Sequence, residues 1–285
     1  MIKLYNIDHF SLEQTFLCGQ CFRWEKYDDL TFYGVVGNAA VKMYNTDEKT
    51  ICVESSNPDL VYWSKYLNFS SDYNKIEEAL SSDEILRPCI EAGKGIRILR
   101  QELWETIVSF IISANNNIPR IKKIIAKLCE LWGEKIEWEG KIFHDFPSAE
   151  TLSKLSLEDL SELRAGFRDK YILDAAKKVY SGEVDLKKLT VMSDKEAKET
   201  LMRISGIGSK VADCVLLYSL GRYKTFPTDV WMKRILKEIY SVEEKNITEF
   251  VSEHFGEYAG FAQQYLYNYY AINHSLITEN AKKPK

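Results

Sequence analysis

The sequence predicts an α+β protein, with an N-terminal antiparallel β-sheet domain followed by helical domains. Near the start of the chain, Thr31 to Val36 and Ala40 to Tyr44 are rich in β-branched and aromatic residues and flank the turn dipeptide Gly37-Asn38. From about residue 58 onward, apolar residues recur instead at the spacing of amphipathic helices. These two patterns together indicate a small sheet and then a bundle of short helices.

Each part of this prediction has its own signal. Residues 1 to about 56 are predicted to form strands, with a second turn at Asn45 to Lys49. Two apolar helix faces follow, the second of them ending at Gly133. Their members are Leu103, Ile107, Phe110 and Ile111, and then Ile118, Ile121, Ile125 and Leu128.

Polar residues mark where later helices begin. Ser156 with Asp159, and Ser193 with Glu196, have the spacing of capping boxes. Asp229, after Thr228, is expected to be the N-cap of a helix that carries Lys233 and Lys237. We also expect the lysine-rich tail after Asn280 to be frayed.

Composition limits the classes of protein to consider. The chain has 285 residues, 45% of them hydrophobic, which is enough for one large core or two to three small ones. No apolar run approaches the roughly 18 residues of a membrane span. The N-terminal stretch MIKLYNIDHF lacks the apolar core of a signal peptide. We therefore expect a cytoplasmic protein, associated with the nucleoid if its source is a bacterium or an archaeon.

Six cysteines are scattered along the chain, and only Cys18 and Cys21 have CxxC spacing. No second pair completes a zinc site, so we predict no metal site. Redox or metal chemistry at this pair stays open as an alternative. Buried free thiols are the favoured reading.

The net charge of -4 argues against a general nucleic-acid binder, which is usually basic. The charge is unevenly distributed, however. Residues 203–237 contain seven basic and two acidic side chains, a local net charge of +5. A basic patch of this kind on an acidic protein can still bind phosphates.

The segment Glu199 to Leu220 is predicted to form a helix-hairpin-helix motif, with IleSerGlyIleGly at the turn. Gly206 and Gly208 allow the backbone to approach a ligand closely. Amide groups at the start of the second helix then offer a site for a phosphodiester. A plain helical hairpin without a ligand is the alternative.

Nineteen residues after Lys210, the run PheProThrAspVal places Asp229 at a helix start. This combination resembles the helix-hairpin-helix superfamily of base-excision DNA glycosylases, and within it the 8-oxoguanine DNA glycosylase/AP lyases. The stretches that carry the resemblance cover nearly the whole chain: CysGlyGlnCysPheArgTrp (18–24), GlyIleArgIleLeuArgGln (95–101), SerPheIleIleSerAlaAsnAsnAsnIleProArgIle (109–121), GlyPheArgAspLysTyr (166–171), GlyIleGlySerLysValAlaAspCys (206–214) and TyrAlaGlyPheAlaGln (258–263).

The expected domains are a β-sheet domain at 1–80, a helical domain from 81–114 plus 230–285, and a helix-hairpin-helix catalytic domain at 115–229. The partner implied by the resemblance is double-stranded DNA containing 8-oxoguanine. Such an enzyme flips the damaged nucleotide out of the duplex. We expect a monomer that needs no cofactor.

Lys210 and Asp229 are the expected catalytic residues. An amine is nucleophilic only when neutral, and a helix N-terminus and desolvation both disfavour its charged form. Lys210 would attack the anomeric carbon, expel the base and leave a Schiff base that undergoes β-elimination. Asp229 would stabilise the positive charge that develops on the sugar.

The resemblance also implies residues that recognise the damaged base. The backbone carbonyl of Gly19 would accept from N7–H, a donor that 8-oxoguanine has and guanine lacks. Gln263 would read the Watson–Crick edge. Cys214, one helical turn after Lys210, would sandwich the base against Tyr267, where phenylalanine is commoner in the family. A plain core thiol is the alternative for Cys214.

Four residues match the family's groups around the cytosine left unpaired by flipping. Asn115, Arg120 and Arg168 would hydrogen-bond that base, and Phe167 would fill the space in the stack. Phosphate contact is the alternative for the two arginines. Trp231 stands where relatives often have a phosphate-binding histidine. Its indole keeps one N–H donor but cannot carry the charge of a protonated imidazole.

The sequence is also compatible with two other functions. A glycosylase for other damaged bases is one, although no cysteine after Cys214 is available for the iron–sulfur site of the endonuclease III branch. A non-catalytic helix-hairpin-helix DNA-binding module is another. It would leave Lys210 and Asp229 as ordinary surface charges.

Overall fold

The computed structural model describes residues 2–5, 7–47 and 49–272. Five strands form the N-terminal sheet: β1 Ile2–Leu4, β2 Trp24–Lys26, β3 Thr31–Val36, β4 Ala39–Asp47 and β5 Thr50–Ser55. They pair antiparallel in the order β1-β5-β4-β3-β2. The predicted hairpin is confirmed, since Val36 pairs with Ala39 and Gly37 has a φ of +57°.

A short helix interrupts the region predicted to contain only strands. Helix α1, Leu12–Leu17, begins at Ser11, whose hydroxyl accepts a hydrogen bond from the backbone N–H of Gln14. Leu12 and Phe16 lie one turn apart and are both buried. The prediction was wrong here because six residues provide too few turns for helical periodicity to stand out.

The rest of the described chain is mostly helical, as predicted. Its helices are α2 Leu60–Tyr66, α3 Tyr73–Leu80, α4 Leu86–Ala92, α5 Leu103–Ser113, α6 Ile118–Trp132, α7 Ala149–Ser153, α8 Leu157–Ser161, α9 Asp169–Tyr180, α10 Leu186–Leu189, α11 Asp194–Leu201, α12 Ser209–Tyr218, α13 Val230–Ile239, α14 Ile247–His254 and α15 Ala259–Tyr267. Both predicted capping boxes are present, at α8 and α11. The predicted frayed tail lies outside the described residues.

A second hairpin, β6 Lys135–Trp138 and β7 Lys141–His144, lies within the region predicted to be helical. At its turn, Glu139 and Gly140 both have positive φ, of +48° and +70°. Two consecutive positive φ values fit a type I′ hairpin, which favours asparagine or aspartate at the first position. Because glutamate stands there instead, the prediction missed this hairpin.

Two hydrophobic cores stabilise the molecule. The sheet packs on α1 around Phe16 and Trp24, whose rings stack with centroids 3.9 Å apart. The helices share a second, larger core. A partly buried ion pair between Arg23 and Glu105, 3.0 Å long, joins the end of the sheet to α5. No helix among the described residues has the length and apolar character needed to cross a membrane.

Candidate active site

The helix-hairpin-helix turn connects α11 to α12 and is fixed by its glycines. Gly206 has a φ of +84°, and a Cβ at this position would overlap the ring of Tyr171. Gly208 is the N-cap of α12 in an extended conformation, and a Cβ there would meet open space. Asp174 holds the turn from α9 by accepting a hydrogen bond from the backbone N–H of Ser205 at 2.7 Å. The turn before α12 is thus held by packing against Tyr171 and by the hydrogen bond to Asp174. The backbone at Gly208, where α12 begins, is open to an approaching ligand.

Because only Gly206 is packed against another residue, alanine substitutions at Gly206 and Gly208 are expected to affect different properties: stability at the first and ligand binding at the second. Gly206→Ala is expected to lower the free energy of unfolding by about 2–4 kcal/mol, because left-handed strain and overlap each cost roughly 1–3 kcal/mol. Gly208→Ala is expected to fold with a stability within about 1 kcal/mol of wild type, yet to bind duplex DNA more weakly. Denaturant titrations and DNA-binding titrations measure the two effects. Normal DNA binding by Gly208→Ala would show that no backbone approach occurs there.

Lys210 lies in the first turn of α12 and is half-buried. Its Nζ lies 5.4 Å from the centroid of the Phe110 ring on α5. Cys214 is buried one turn further along α12. Burial raises the pKa of Cys214 to about 11, although the Lys210 charge opposes the rise. The thiol therefore stays protonated at neutral pH, beside the lysine.

Asp229 is the N-cap of α13, as predicted. Its Oδ1 accepts a hydrogen bond from the backbone N–H of Met232 at 2.9 Å. Burial raises the pKa of Tyr267 to about 12, and the negative charge of Asp229 contributes to the rise. The carboxylate of α13 therefore lies close to the Tyr267 ring at the end of α15.

A cavity of about 540 Å³ brings these elements together. Small-molecule sites have volumes of roughly 300–1,000 Å³, so the space is large enough for a nucleotide base. Five residues predicted from the sequence line it: Gly19, Asn115, Lys210, Asp229 and Tyr267. Lys210 and Asp229 thus line the same cavity.

Several other residues of the wall were not predicted. Phe22, Phe110, Ile118 and Val211 supply apolar surface, and Trp231 and Lys233 stand at the side formed by α13. Phe110 lay on an apolar helix face, a pattern that does not distinguish a cavity wall from a core. Trp231 is 37% exposed, so its ring stands at the rim of the cavity.

Two of the predicted base-binding residues do not line the cavity. Gln263 is buried on α15, with its Oε1 3.3 Å from the Tyr218 hydroxyl. Cys214 lies behind Lys210. Cys214 lies one helical turn from Lys210, and Gln263 reaches the wall only through Tyr218, whose ring stacks on that of Phe110.

The residues predicted to contact the opposite base gather beside the cavity. Asn115 has a left-handed backbone, with a φ of +51°. Arg168 is buried and donates to the carbonyls of Ala114, at 2.6 and 3.0 Å, and of Asn115, at 2.9 Å. A further bond from Nη1 reaches Ala165, at 2.9 Å, and leaves one N–H of that nitrogen for another acceptor. In this structure Arg168 therefore holds Asn115 in place.

Arg120 and Phe167 are more accessible. Arg120 is exposed and donates to the carbonyl of Arg164 at 3.2 Å. Burial lowers the pKa of Arg168, and the nearby Arg120 charge lowers it further. Phe167 is 50% exposed, with its ring 4.4 Å from the Arg168 guanidinium carbon. Arg120 and the Phe167 ring are therefore exposed next to Arg168, which is itself buried.

The cysteines behave as the favoured interpretation expected, because all six are free and buried. Burial raises the pKa of the Cys18 thiol to about 12. Within residues 2–5, 7–47 and 49–272, no cluster of histidine, cysteine or carboxylate side chains is suited to hold a metal ion.

Comparison with known proteins places this fold in one family. Residues 2–107 match the N-terminal domain of 8-oxoguanine DNA glycosylase, and residues 108–259 match the HhH-GPD superfamily base excision DNA repair proteins. The chain therefore belongs to the HhH-GPD superfamily. Within it, the resemblance to the 8-oxoguanine DNA glycosylase/AP lyases that the sequence indicated is confirmed.

Individual relatives agree with this assignment. A protein of Methanothermobacter thermautotrophicus described as a "probable N-glycosylase/DNA lyase" is 32% identical over 66% of this chain and 67% of its own length. The structure of MBOgg1 in complex with a low affinity DNA ligand is 46% identical, covers 93% of each chain and has a TM-score of 0.90. The Clostridium acetobutylicum 8-oxoguanine glycosylase/lyase, solved with duplex DNA containing cytosine opposite 8-oxoguanine, is 38% identical, covers 95% of each chain and also has a TM-score of 0.90.

Proposed function

We propose that this chain excises 8-oxoguanine lying opposite cytosine in duplex DNA and then cleaves the abasic strand by β-elimination, through a Schiff base on Lys210. The observation that carries the proposal is the single cavity lined by Lys210, Asp229, Gly19 and Tyr267. It offers an amine, a carboxylate, a backbone carbonyl and an aromatic ring to one flipped nucleotide. A non-catalytic DNA-binding module would have no need of this combination.

In the proposed reaction, the neutral Nζ of Lys210 attacks C1′ of the flipped nucleotide. The glycosidic bond breaks, and its electron pair leaves with the base, which takes up a proton. Asp229 stabilises the positive charge on the sugar as that bond lengthens. The sugar ring then opens to an iminium ion on Nζ. Loss of a C2′ proton expels the 3′ phosphate and cuts the strand.

Base selection follows from the hydrogen-bonding pattern of the cavity. The Gly19 carbonyl accepts from N7–H of 8-oxoguanine but meets a lone pair on guanine, so guanine is disfavoured. Tyr267 stacks on one face of the base, and Cys214 approaches the other. Gln263 reads the Watson–Crick edge, because an amide offers both a donor and an acceptor.

The opposite cytosine is held beside the cavity, where Arg120 and Phe167 are exposed. Arg120 and the remaining N–H of Arg168 donate to its O2 and N3 acceptors. Asn115 contacts the same base, and Phe167 occupies the space left in the stack. Gly206 and Gly208 present the start of α12 to the phosphates of the damaged strand. All of these groups come from one chain, and we propose that it acts as a monomer in the cytoplasm, on nucleoid DNA in a bacterium or an archaeon.

Selectivity for cytosine provides the test. Wild-type enzyme is expected to excise 8-oxoguanine faster opposite cytosine than opposite adenine, and borohydride is expected to trap it on the first duplex. Arg120→Ala is expected to reduce this preference about 10-fold, since a good bidentate contact contributes roughly 1–3 kcal/mol of discrimination. Lys123→Ala, which removes another exposed cation from α6, is the control and keeps the preference. Trapping on thymine glycol but not on 8-oxoguanine would overturn the proposed substrate.

A further inference from the structure

Gly19 sits in the middle of a short loop, Cys18 to Gln20, whose two neighbouring carbonyls are both held by amide side chains. The Cys18 carbonyl accepts from Nε2 of Gln264 at 3.2 Å. The Gln20 carbonyl accepts from Nε2 of Gln101 at 2.7 Å. Among the described residues, none donates a hydrogen bond to the Gly19 carbonyl itself. Hydrogen bonds thus fix the loop on both sides of Gly19. The Gly19 carbonyl between them stays free to accept a hydrogen bond from a ligand in the cavity.

The Gln264 side chain that holds the Cys18 carbonyl is itself held by a hydrogen bond from Tyr218. Gln264 is 1% exposed, and its Oε1 accepts from the Tyr218 hydroxyl at 2.8 Å. Only one amide orientation fits, because the Cys18 carbonyl can only accept and therefore requires the NH₂ group. Burial raises the pKa of Tyr218 far above its usual range, so the phenol keeps the proton it donates.

Both hydrogen bonds to the Gly19 loop are connected to α12, the helix that carries Lys210. Tyr218 is the last residue of α12, and its backbone carbonyl accepts from the backbone N–H of Gln101 at 2.8 Å. Gln101 in turn holds the Gln20 carbonyl. The Gly19 loop is therefore fixed relative to α12 through the side chain of Tyr218 on one side and through its backbone on the other.

We infer that Tyr218 and Gln264 are positioning residues, which set the Gly19 carbonyl at the distance from Lys210 that an 8-oxoguanine nucleotide requires. The inference rests on the proposed recognition of N7–H by Gly19. Neither side chain lines the cavity. Gln264 acts through the Cys18–Gly19 peptide, and Tyr218 acts through Gln264. The Tyr218 hydroxyl also lies 3.3 Å from Oε1 of Gln263, so Gln264→Met is the variant that tests the peptide alone. A hydrogen bond to the base depends steeply on distance and angle, so a small shift of this peptide weakens selection of the damaged base.

Base excision and strand cleavage depend differently on this network. Excision requires the base to be read, whereas cleavage of a preformed abasic site involves no base and needs only Lys210 and the sugar. Loss of the network is therefore expected to lower excision and to leave abasic-site cleavage in place. A general loss of structure would lower both together.

The test compares Tyr218→Phe and Gln264→Met with Tyr265→Phe in the full-length protein. Tyr265, also buried on α15, donates to Glu77 at 2.9 Å instead of to Gln264 or to the Gly19 loop. For each variant, single-turnover excision from an 8-oxoguanine:cytosine duplex and cleavage of a preformed abasic duplex are measured on the same sample. The ratio of the two rates does not depend on the folded fraction.

Tyr218→Phe and Gln264→Met are expected to lower this ratio about 10-fold, since misplacement by about 1 Å can cost on the order of 10²-fold in rate. Tyr265→Phe is expected to keep it. An unchanged ratio in both test variants, or an equal fall of both rates, would overturn the inference. If the wild-type enzyme does not distinguish 8-oxoguanine from guanine, the proposed recognition by Gly19 is wrong. If it does distinguish them but the ratio is unchanged in both variants, only the positioning role of Tyr218 and Gln264 is wrong.

Discussion

Lys210→Gln is expected to abolish borohydride trapping and to lower strand cleavage by at least about 10³-fold, a loss typical of removing the nucleophile of an enzyme. Glutamine is of similar length but has no amine to form an iminium ion. Duplex binding is expected to survive, because only one of many contacts changes. Gel analysis of borohydride-treated reactions measures the covalent adduct directly.

Lys233→Gln is the matched control for this substitution. Lys233 also lines the cavity, but it belongs to α13 and forms an ion pair with Glu244. We expect this variant to be trapped as wild type is. An adduct formed by Lys210→Gln, or lost in Lys233→Gln, would show that the nucleophile has been assigned to the wrong side chain.

Asp229→Asn is expected to lower base excision by about 10²–10³-fold, the usual effect of removing one group that stabilises a developing charge. Asparagine keeps an oxygen for the backbone N–H of Met232 and is as good an N-cap as aspartate. Stability is therefore expected to change little. Single-turnover excision rates and thermal denaturation of the same preparation separate the two roles.

Asp229→Ala extends this test. It removes both the charge and the cap, so it is expected to lose excision and also about 1 kcal/mol of stability. If Asp229→Asn excises at the wild-type rate while Asp229→Ala only loses stability, the carboxylate is a helix cap and nothing more.

Local signals in the sequence were sufficient for much of the fold. The cap at Asp229 and the turn at Gly37 depend on neighbouring residues only, and both were predicted correctly. Helix α1 and the β6–β7 hairpin were missed for a local reason as well. One is too short for its periodicity to show, and the other has glutamate at a position that favours asparagine or aspartate.

The site was predictable where a motif supplied a residue and not where distant segments meet. Lys210 lies in a recognisable turn, whereas the Gln264–Cys18 hydrogen bond joins residues 246 positions apart. The hydrogen bond from Arg168 to the Ala114 carbonyl joins residues 54 positions apart. No local pattern indicates such pairs, since a buried glutamine or arginine is compatible with many partners.

The end of α5 and the residues after it connect the surroundings of Lys210 to the surface proposed for the opposite base. Phe110 lies beneath Lys210, and five residues later Asn115 stands at the surface proposed for the opposite base. A helix turns about 100° per residue. A single inserted residue between these two positions would therefore swing one of them away from its side of the duplex. With the roles proposed for Lys210 and Asn115, this segment sets the spacing between the damaged strand and its complement, so its length is expected to be as constrained as its composition.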